Sequence, residues 1–172
     1  MDLMEAIKKR RSVRKYKDTP VDRKTILKLL EAAVWAPSGG NAQNWRFVVV
    51  TDPEVKKKIK MVSPGLLGNP PVVVVIAQDV AKAREMGGKM GVDSLVKMDS
   101  AMAAQNLMLA ARAEGLGTCV IASFHPDAVR RLLRMPEEFV PQLLISVGVP
   151  DQDPAPPPRA FEKIIWWEAC NG

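Results

Sequence analysis

The sequence predicts an α+β fold, and three observations carry that expectation. Strand-like apolar runs and helical periodicities follow one another along the chain. The run VVVVIAQD at 72–79 is apolar without alternation, which for a strand implies cover on both faces. From Asp93 to Gly115 an alanine-rich stretch holds Leu95, Met98, Met102, Leu107 and Leu109, the pattern of a long, largely buried central helix ended by a glycine. With 172 residues, 47% hydrophobic and 26% charged, the chain suits one domain, 1–172, with a real core.

The elements read in order. Leu3 and Ile7 lie one turn apart in MDLMEAIKKR, a short amphipathic helix that stops where a basic cluster begins. Asp22 caps a second helix in which Ile26, Leu29, Leu30 and Ala33 keep helical spacing until Pro37. PSGGNAQN is a loop, and WRFVVVTD is a strand by its β-branched and aromatic content. A proline at the first turn opens a helix over 53–62, SPGLLGNPP is loop, and the buried strand at 72–79 follows. The stretch VAKAREMGGKMG stays ambiguous because its glycines interrupt any helix. After the central helix come a strand at TCVIASF, a helix at PDAVRRLLRM and a strand at PQLLISVGVP, about four strands in all. The tail, 150–172, is proline-rich and then apolar. Ile164, Ile165, Trp166 and Trp167 need cover there, and a partner subunit is one source of it.

Several chemistries lack the residues they need. Two cysteines, Cys119 and Cys170, make no disulfide framework, and no CxxC or Cys/His pairing points to a metal. The one histidine, His125, leaves little for a triad or an imidazole metal site. Met86, Met90, Met98 and Met102 read as core filler. The opening residues lack a signal peptide's apolar core, and no run approaches the roughly 18 apolar residues of a membrane span. The expectation is a cytoplasmic protein without a membrane partner.

The formal charge of +6 permits an anionic partner without naming it. Its densest part is KKRRSVRKYK at 8–17, seven basic residues in ten. In extended chain Arg10, Ser12 and Arg14 share one face while Arg11 and Val13 point the other way. Two guanidinium forks and a hydroxyl suit a phosphate, because arginine donates in pairs to its oxygens. A solvated basic face and a nucleic-acid patch are the other readings of such a run; only Tyr16 interleaves with the charges as a stacking platform. APSGGNAQNW at 36–45 offers a hydroxyl, amides and glycines that allow close approach to a planar heterocycle, or simply make a turn.

Taken together, RRSVRKYKDTPV, AAVWAPSGGNAQNWRFVVV, DSAMAAQNLMLAARAEGLGTCVIASF and LISVGVPDQDPAPPPR resemble, in order and spacing, the motifs of the nitroreductase family of FMN-dependent oxidoreductases. The resemblance implies a central, mainly antiparallel sheet of four to five strands flanked by helices. It implies that Arg10, Arg11, Ser12, Arg14 and Arg159 reach the flavin's phosphate and ribityl end. Pro37, Ser38, Gly39 and Asn41, with Gln43 assisting, match positions that contact the ring from the other subunit of a homodimer. Ile121, Ala122 and Ser123 match the stretch beside the flavin edge, and Phe124 is a candidate wall of the substrate pocket, or a core aromatic. Pro157 stands where some relatives place a lysine, and the region from Asp79 to Asp93 is short for the family.

The cofactors so implied are FMN and, as electron donor, NADH or NADPH, with a small-molecule acceptor such as a nitroaromatic or quinone reduced in a ping-pong cycle. The flavin would carry the chemistry itself, which accounts for the missing triad and metal cluster. No GxGxxG follows a strand, so no separate dinucleotide domain is expected. The rival readings are a dehalogenase or flavin-consuming enzyme on the same fold, and a non-catalytic basic module binding FMN or nucleic acid.

Overall fold

Aspartates start most of the helices, and each does so by accepting a backbone N–H of the first turn. Asp2 accepts from Glu5 to open α1 (Leu3–Lys9), Asp22 from Thr25 to open α2 (Arg23–Val34), and Asp52 from Glu54 and Val55 to open α3 (Pro53–Met61). The remaining elements of the computed structural model are α4 (Val80–Met90), α5 (Val96–Ala113), α6 (Pro126–Leu132) and strands β1 (Trp45–Val50), β2 (Val72–Asp79), β3 (Gly117–Ile121) and β4 (Phe139–Gly148). Residues 1–161 and 164–170 are described.

The four strands form one antiparallel sheet in the order β1-β2-β4-β3. The unbroken apolar run of β2 has the predicted cause. Val72, Val74 and Ile76 join a core with Ile26 and Leu29 of α2 and Ala103, Ala104 and Leu107 of α5. Val73 and Val75 join a second core with Ile59 of α3 and Val129 of α6. The sheet is therefore covered on both faces, which leaves its ends and its two edge strands, β1 and β3, to build a site.

α5 is the long central helix, and small residues on its inner face let it approach the sheet closely. Gln78, fully buried in β2, donates to Ser100 Oγ at 2.9 Å, and that hydroxyl donates to Val96 O, so a polar clasp fixes the helix against the strand. The ambiguous stretch before it is helical. α4 runs to Met90 with a break at Gly88 (φ 56°, ψ −141°) and joins α5 through a π-helical turn, Gly91–Leu95. The helix thus extends back beyond Asp93, and a glycine that discouraged the assignment absorbs the break. Met86, Met90 and Met98 are exposed, contrary to the core role expected of them, because their positions fall on the outer face; Met102 alone packs against the upper core.

The basic cluster leaves α1 through Arg10, the extended residue that caps the helix, and lies along the β3 edge. Ser12 bridges Thr118 in parallel, the Val13 N–H donates to Thr118 O at 2.8 Å, and Tyr16 bridges Pro150. Val13 packs so closely on Gly117 that a Cβ there would lie 2.7 Å from its side chain. The Tyr16 hydroxyl sits between Val13 O and Ser146 Oγ, and burial pushes its phenol up to about 12.

The Tyr16 linkage has a definite sign. Its phenol holds a proton more tightly folded than unfolded, so this contribution is whole below about pH 10 and fades as pH climbs from 10 toward 12. Tyr16→Phe should cost about 1 kcal/mol at neutral pH and flatten the alkaline loss of stability between those values. Urea titrations at pH 8, 10 and 11.5 check this; an equally steep alkaline fall in the variant would place the titrating group elsewhere.

Candidate functional site

Two of the predicted arginines and a third from the far end of the chain meet in one cleft. Arg10, Arg11 and Arg159 line a hollow of about 490 Å³ with Ile7, Lys8, Gln105 and two tail prolines, and among the described residues no carboxylate is part of its walls. Four cations on one wall make a surface rich in charged donors, the chemistry of a phosphate site. Arg11 does not point away as the alternation implied. Its Nη1 donates to Lys8 O and Arg10 O, which bends the side chain back over the helix end and into the same cleft. Arg11 and Arg112 both have a buried Nε without a partner. An adjoining hollow of about 470 Å³ shares Arg10 and Arg11 but also takes in Asp151 and Asp153, which makes it the poorer anion site of the two.

Ser12 and Arg14 are not part of these walls. Ser12 is half-buried beside Thr118, and Arg14 is exposed, its carbonyl resting over Gly68. From Thr118 to Ile121 the strand β3 spans about 10 Å, and it then releases Ala122 and Ser123, both exposed. Phe124 is half-buried and packs on the lower core, while His125 is exposed. β3 thus has the basic hollow beside Thr118 at one end and the exposed turn at Ala122 and Ser123 at the other.

The loop before β1 is folded on itself. Ser38 Oγ accepts from the Gln43 N–H at 3.0 Å, and Gln43 Nε2 donates to Asn41 Oδ1 at 2.8 Å. Gly40, Asn41 and Gln43 all have positive φ, a left-handed conformation that costs a non-glycine residue about 1 kcal/mol or more and that clusters at functional loops. Pro37 and Asn41 are exposed, and Gly39 donates its N–H to Asp99 Oδ1 of α5 at 3.1 Å. Burial raises the Asp99 carboxyl above the ordinary aspartate value, and the Gly39 N–H opposes that shift.

Sequence reasoning passed over two features. Asp99 carried a signal, a carboxylate on the inner face of an alanine-rich helix. The loop 63–71 carried only its glycines. Gly65 N donates to Ser123 O, and a Cβ on Gly65 would lie 2.9 Å from Ile121, so this loop props the end of β3. Lys56 Nζ donates to Pro70 O and Pro71 O, and Lys60 Nζ to Gly68 O and Asn69 Oδ1, which ties the loop to α3. Among the described residues no group of three or more His, Cys, Asp or Glu side chains is placed to hold a metal, and no helix is long and apolar enough to cross a membrane.

A model of the nitroreductase family matches residues 7–63 and 60–149. The chain belongs to the nitroreductase family. A relative from Methanothermobacter thermautotrophicus, provisionally named an NADH dehydrogenase/NAD(P)H nitroreductase, is 35% identical over 161 residues, covering 90% of this chain and 80% of its own. An NADPH-dependent oxidoreductase of Staphylococcus haemolyticus is 30% identical, with 97% of this chain and 73% of the relative covered. Among solved structures, an FMN-dependent nitroreductase of Clostridium difficile superposes with a TM-score of 0.85 at 27% identity over 97% of this chain and 99% of that one. These nitroreductase relatives have the predicted α+β fold.

Two glycines test how tightly the loops of this nitroreductase-family chain are held. A Cβ on Gly68 (φ +71°) would lie 2.1 Å from Arg14 O, whereas one on Gly40 (φ +59°) meets nothing within 4 Å. Gly40→Ala should cost about 1 kcal/mol, the left-handed penalty alone, and Gly68→Ala at least about 2 kcal/mol more. Equal losses in denaturant melts would mean that the carbonyl of Arg14 is not fixed there.

Proposed function

We propose that this nitroreductase-family protein is an FMN-dependent oxidoreductase, with NADH or NADPH as donor and a nitroaromatic, quinone or similar small molecule as acceptor. The observation that carries the reading is the basic cleft where Arg10 and Arg11 meet Arg159 across the whole length of the sequence. It fits the anionic end of an elongated ligand. The β3 edge fits the rest, since it leads about 10 Å from Ser12 and Thr118 to an open turn at Ala122 and Ser123.

Bound there, FMN would supply two-electron chemistry, accepting a hydride from the reduced nicotinamide and passing the electrons to the acceptor. Arg10 and Arg159 grip the phosphate, and Arg11, already folded onto Lys8 O and Arg10 O, adds charge without further ordering. Ser12 and Arg14 approach the ribityl side. The buried strand end at Ile121 and the exposed Ala122 and Ser123 border the ring's edge, with Phe124 next to that turn. Pro37, Ser38, Gly39, Asn41 and Gln43 cover the ring from the partner subunit of a homodimer. Donor and acceptor use one pocket in turn, in a ping-pong cycle, and His125 has no part in it.

The dimer reading has its own support. Phe161, Ile164, Ile165, Trp166 and Trp167 stand exposed on the single chain, as do Leu3, Leu27 and Trp35, Trp167 and Trp35 by about four-fifths (81% and 80%). An apolar tail that finds no cover on its own domain is suited to a second copy, and large aromatic anchors are typical of buried interface centres.

Purified protein should take up FMN and oxidise NADH or NADPH in the presence of a quinone. Arg10→Ala and Arg159→Ala should each weaken FMN binding by about 1 to 3 kcal/mol, the loss expected for a charge-assisted contact. Fluorescence titration reads both; a protein that takes up no FMN would remove the proposed function, and wild-type affinity in both variants would remove only the phosphate assignment.

Deleting residues 160–172 leaves Arg159 in place and should abolish dimer and flavin together, because neither site is then complete. Sedimentation of a truncated monomer holding FMN at full affinity would refute the shared site.

A further inference from the structure

Asp99 is the least expected residue in the structure. It lies on the inner face of α5 at 1% exposure, where burying a carboxylate costs several kcal/mol unless hydrogen bonds offset it. Oδ1 has one donor, the Gly39 N–H at 3.1 Å, and Oδ2 has none. On the same small cavity, about 60 Å³, stands a second buried acceptor without a partner, Oδ1 of Asn44. The cavity has room for one or two waters. A molecule with two donors, such as water, has one to offer each oxygen.

The two acceptors sit under opposite ends of one loop. Gly39 begins the left-handed turn, and Asn44 ends it, anchored to the sheet where its carbonyl accepts the Asp79 N–H at 2.9 Å. Between them lie Asn41 and Gln43 in strained conformations that persist only when their surroundings impose them. The walls of the cavity are equally close-fitting. A Cβ on Gly91 would lie 2.2 Å from Ala83 O, and one on Gly39 would strike Leu95. The break at Gly88 and the π-helical turn bring α4 and α5 around the carboxyl. A leucine, larger but branched at the same atom, would be buried at less desolvation cost than this carboxylate.

We propose that Asp99 is a positioning residue: it ties both ends of the loop 39–44, through the Gly39 N–H directly and through Asn44 across the cavity, and so sets how Pro37, Ser38 and Asn41 meet the flavin. This rests on the FMN reading above. The role is exerted on whichever flavin the loop covers, the partner's in the homodimer.

Asp99→Leu removes both acceptors while filling the space; Asp99→Asn keeps an acceptor for Gly39. In the flavin-free protein, amide exchange at residues 39–44 should speed up at least tenfold in Asp99→Leu and stay within about threefold of wild type in Asp99→Asn. The melting temperature of Asp99→Leu should equal or exceed that of wild type. With FMN added, Asp99→Leu should bind at least tenfold more weakly and shift the visible circular dichroism of the flavin, and Asp99→Asn should restore both. Unchanged exchange and unchanged FMN affinity in Asp99→Leu would overturn the proposal, and so would unfolding of both variants, which would mark Asp99 as a plain core residue. Faster exchange together with a wild type that takes up no FMN would keep the loop tie but overturn its role toward a flavin, and would count against the FMN reading itself.

Discussion

The double cover of β2 is the constraint from which the rest of the architecture follows. With Val72 to Gln78 all buried, both faces of the sheet are taken, one by α2 and α5 and the other by α3 and α6. A ligand has no face to lie on. What is left is the two sheet edges and the loops at the strand ends, and the predicted site residues except Arg159, which comes from the tail, fall along the β3 edge and in those loops. The segment from Ser12 to Tyr16 seals part of that edge with a few backbone bonds, which also keeps β3 from pairing with another chain.

That logic explains what was legible in the sequence. An unbroken valine run, an alanine-rich helical stretch and helical spacing behind the Asp22 cap are local signals with one physical meaning each, and β2, α5 and α2 lie where those signals put them. The stretch from Val80 to Leu95 was not legible, because its continuity depends on a break at Gly88 and a π-helical turn that packing, not propensity, holds in place. Methionine placement failed for a related reason. Composition says that Met86, Met90 and Met98 are apolar, but only the helix's rotation about its own axis says that they face outward.

The site divides along the same line. Residue types announced an anion, and the pairing of Arg10 with Arg159 needed only the family's motif order. Arg11's turn back over the helix end could not be read, since it follows from two carbonyls, Lys8 O and Arg10 O, that exist as acceptors only where α1 stops. Nor could the props be read. Lys56 and Lys60 look like ordinary surface charge in KKKIK, yet both ammonium groups are spent on the carbonyls and amide of the 66–71 loop that supports β3's open end.

A cleft of like charges carries a cost in the ligand-free protein. Arg10, Arg11 and Arg159 share it with Lys8, and among the described residues no carboxylate lies in its walls. Their repulsion is screened by salt over about 8 to 10 Å, so it weighs most at low ionic strength. Arg11 lessens the cost of later binding by being folded already, which moves the ordering penalty from association to folding. An anion that occupies the cleft relieves the repulsion and stabilises the fold by mass action, by roughly 2.7 kcal/mol at a hundred times its dissociation constant. Folding and anion binding at this cleft are in this way linked: the charges that repel one another there are the ones an anion would bring together.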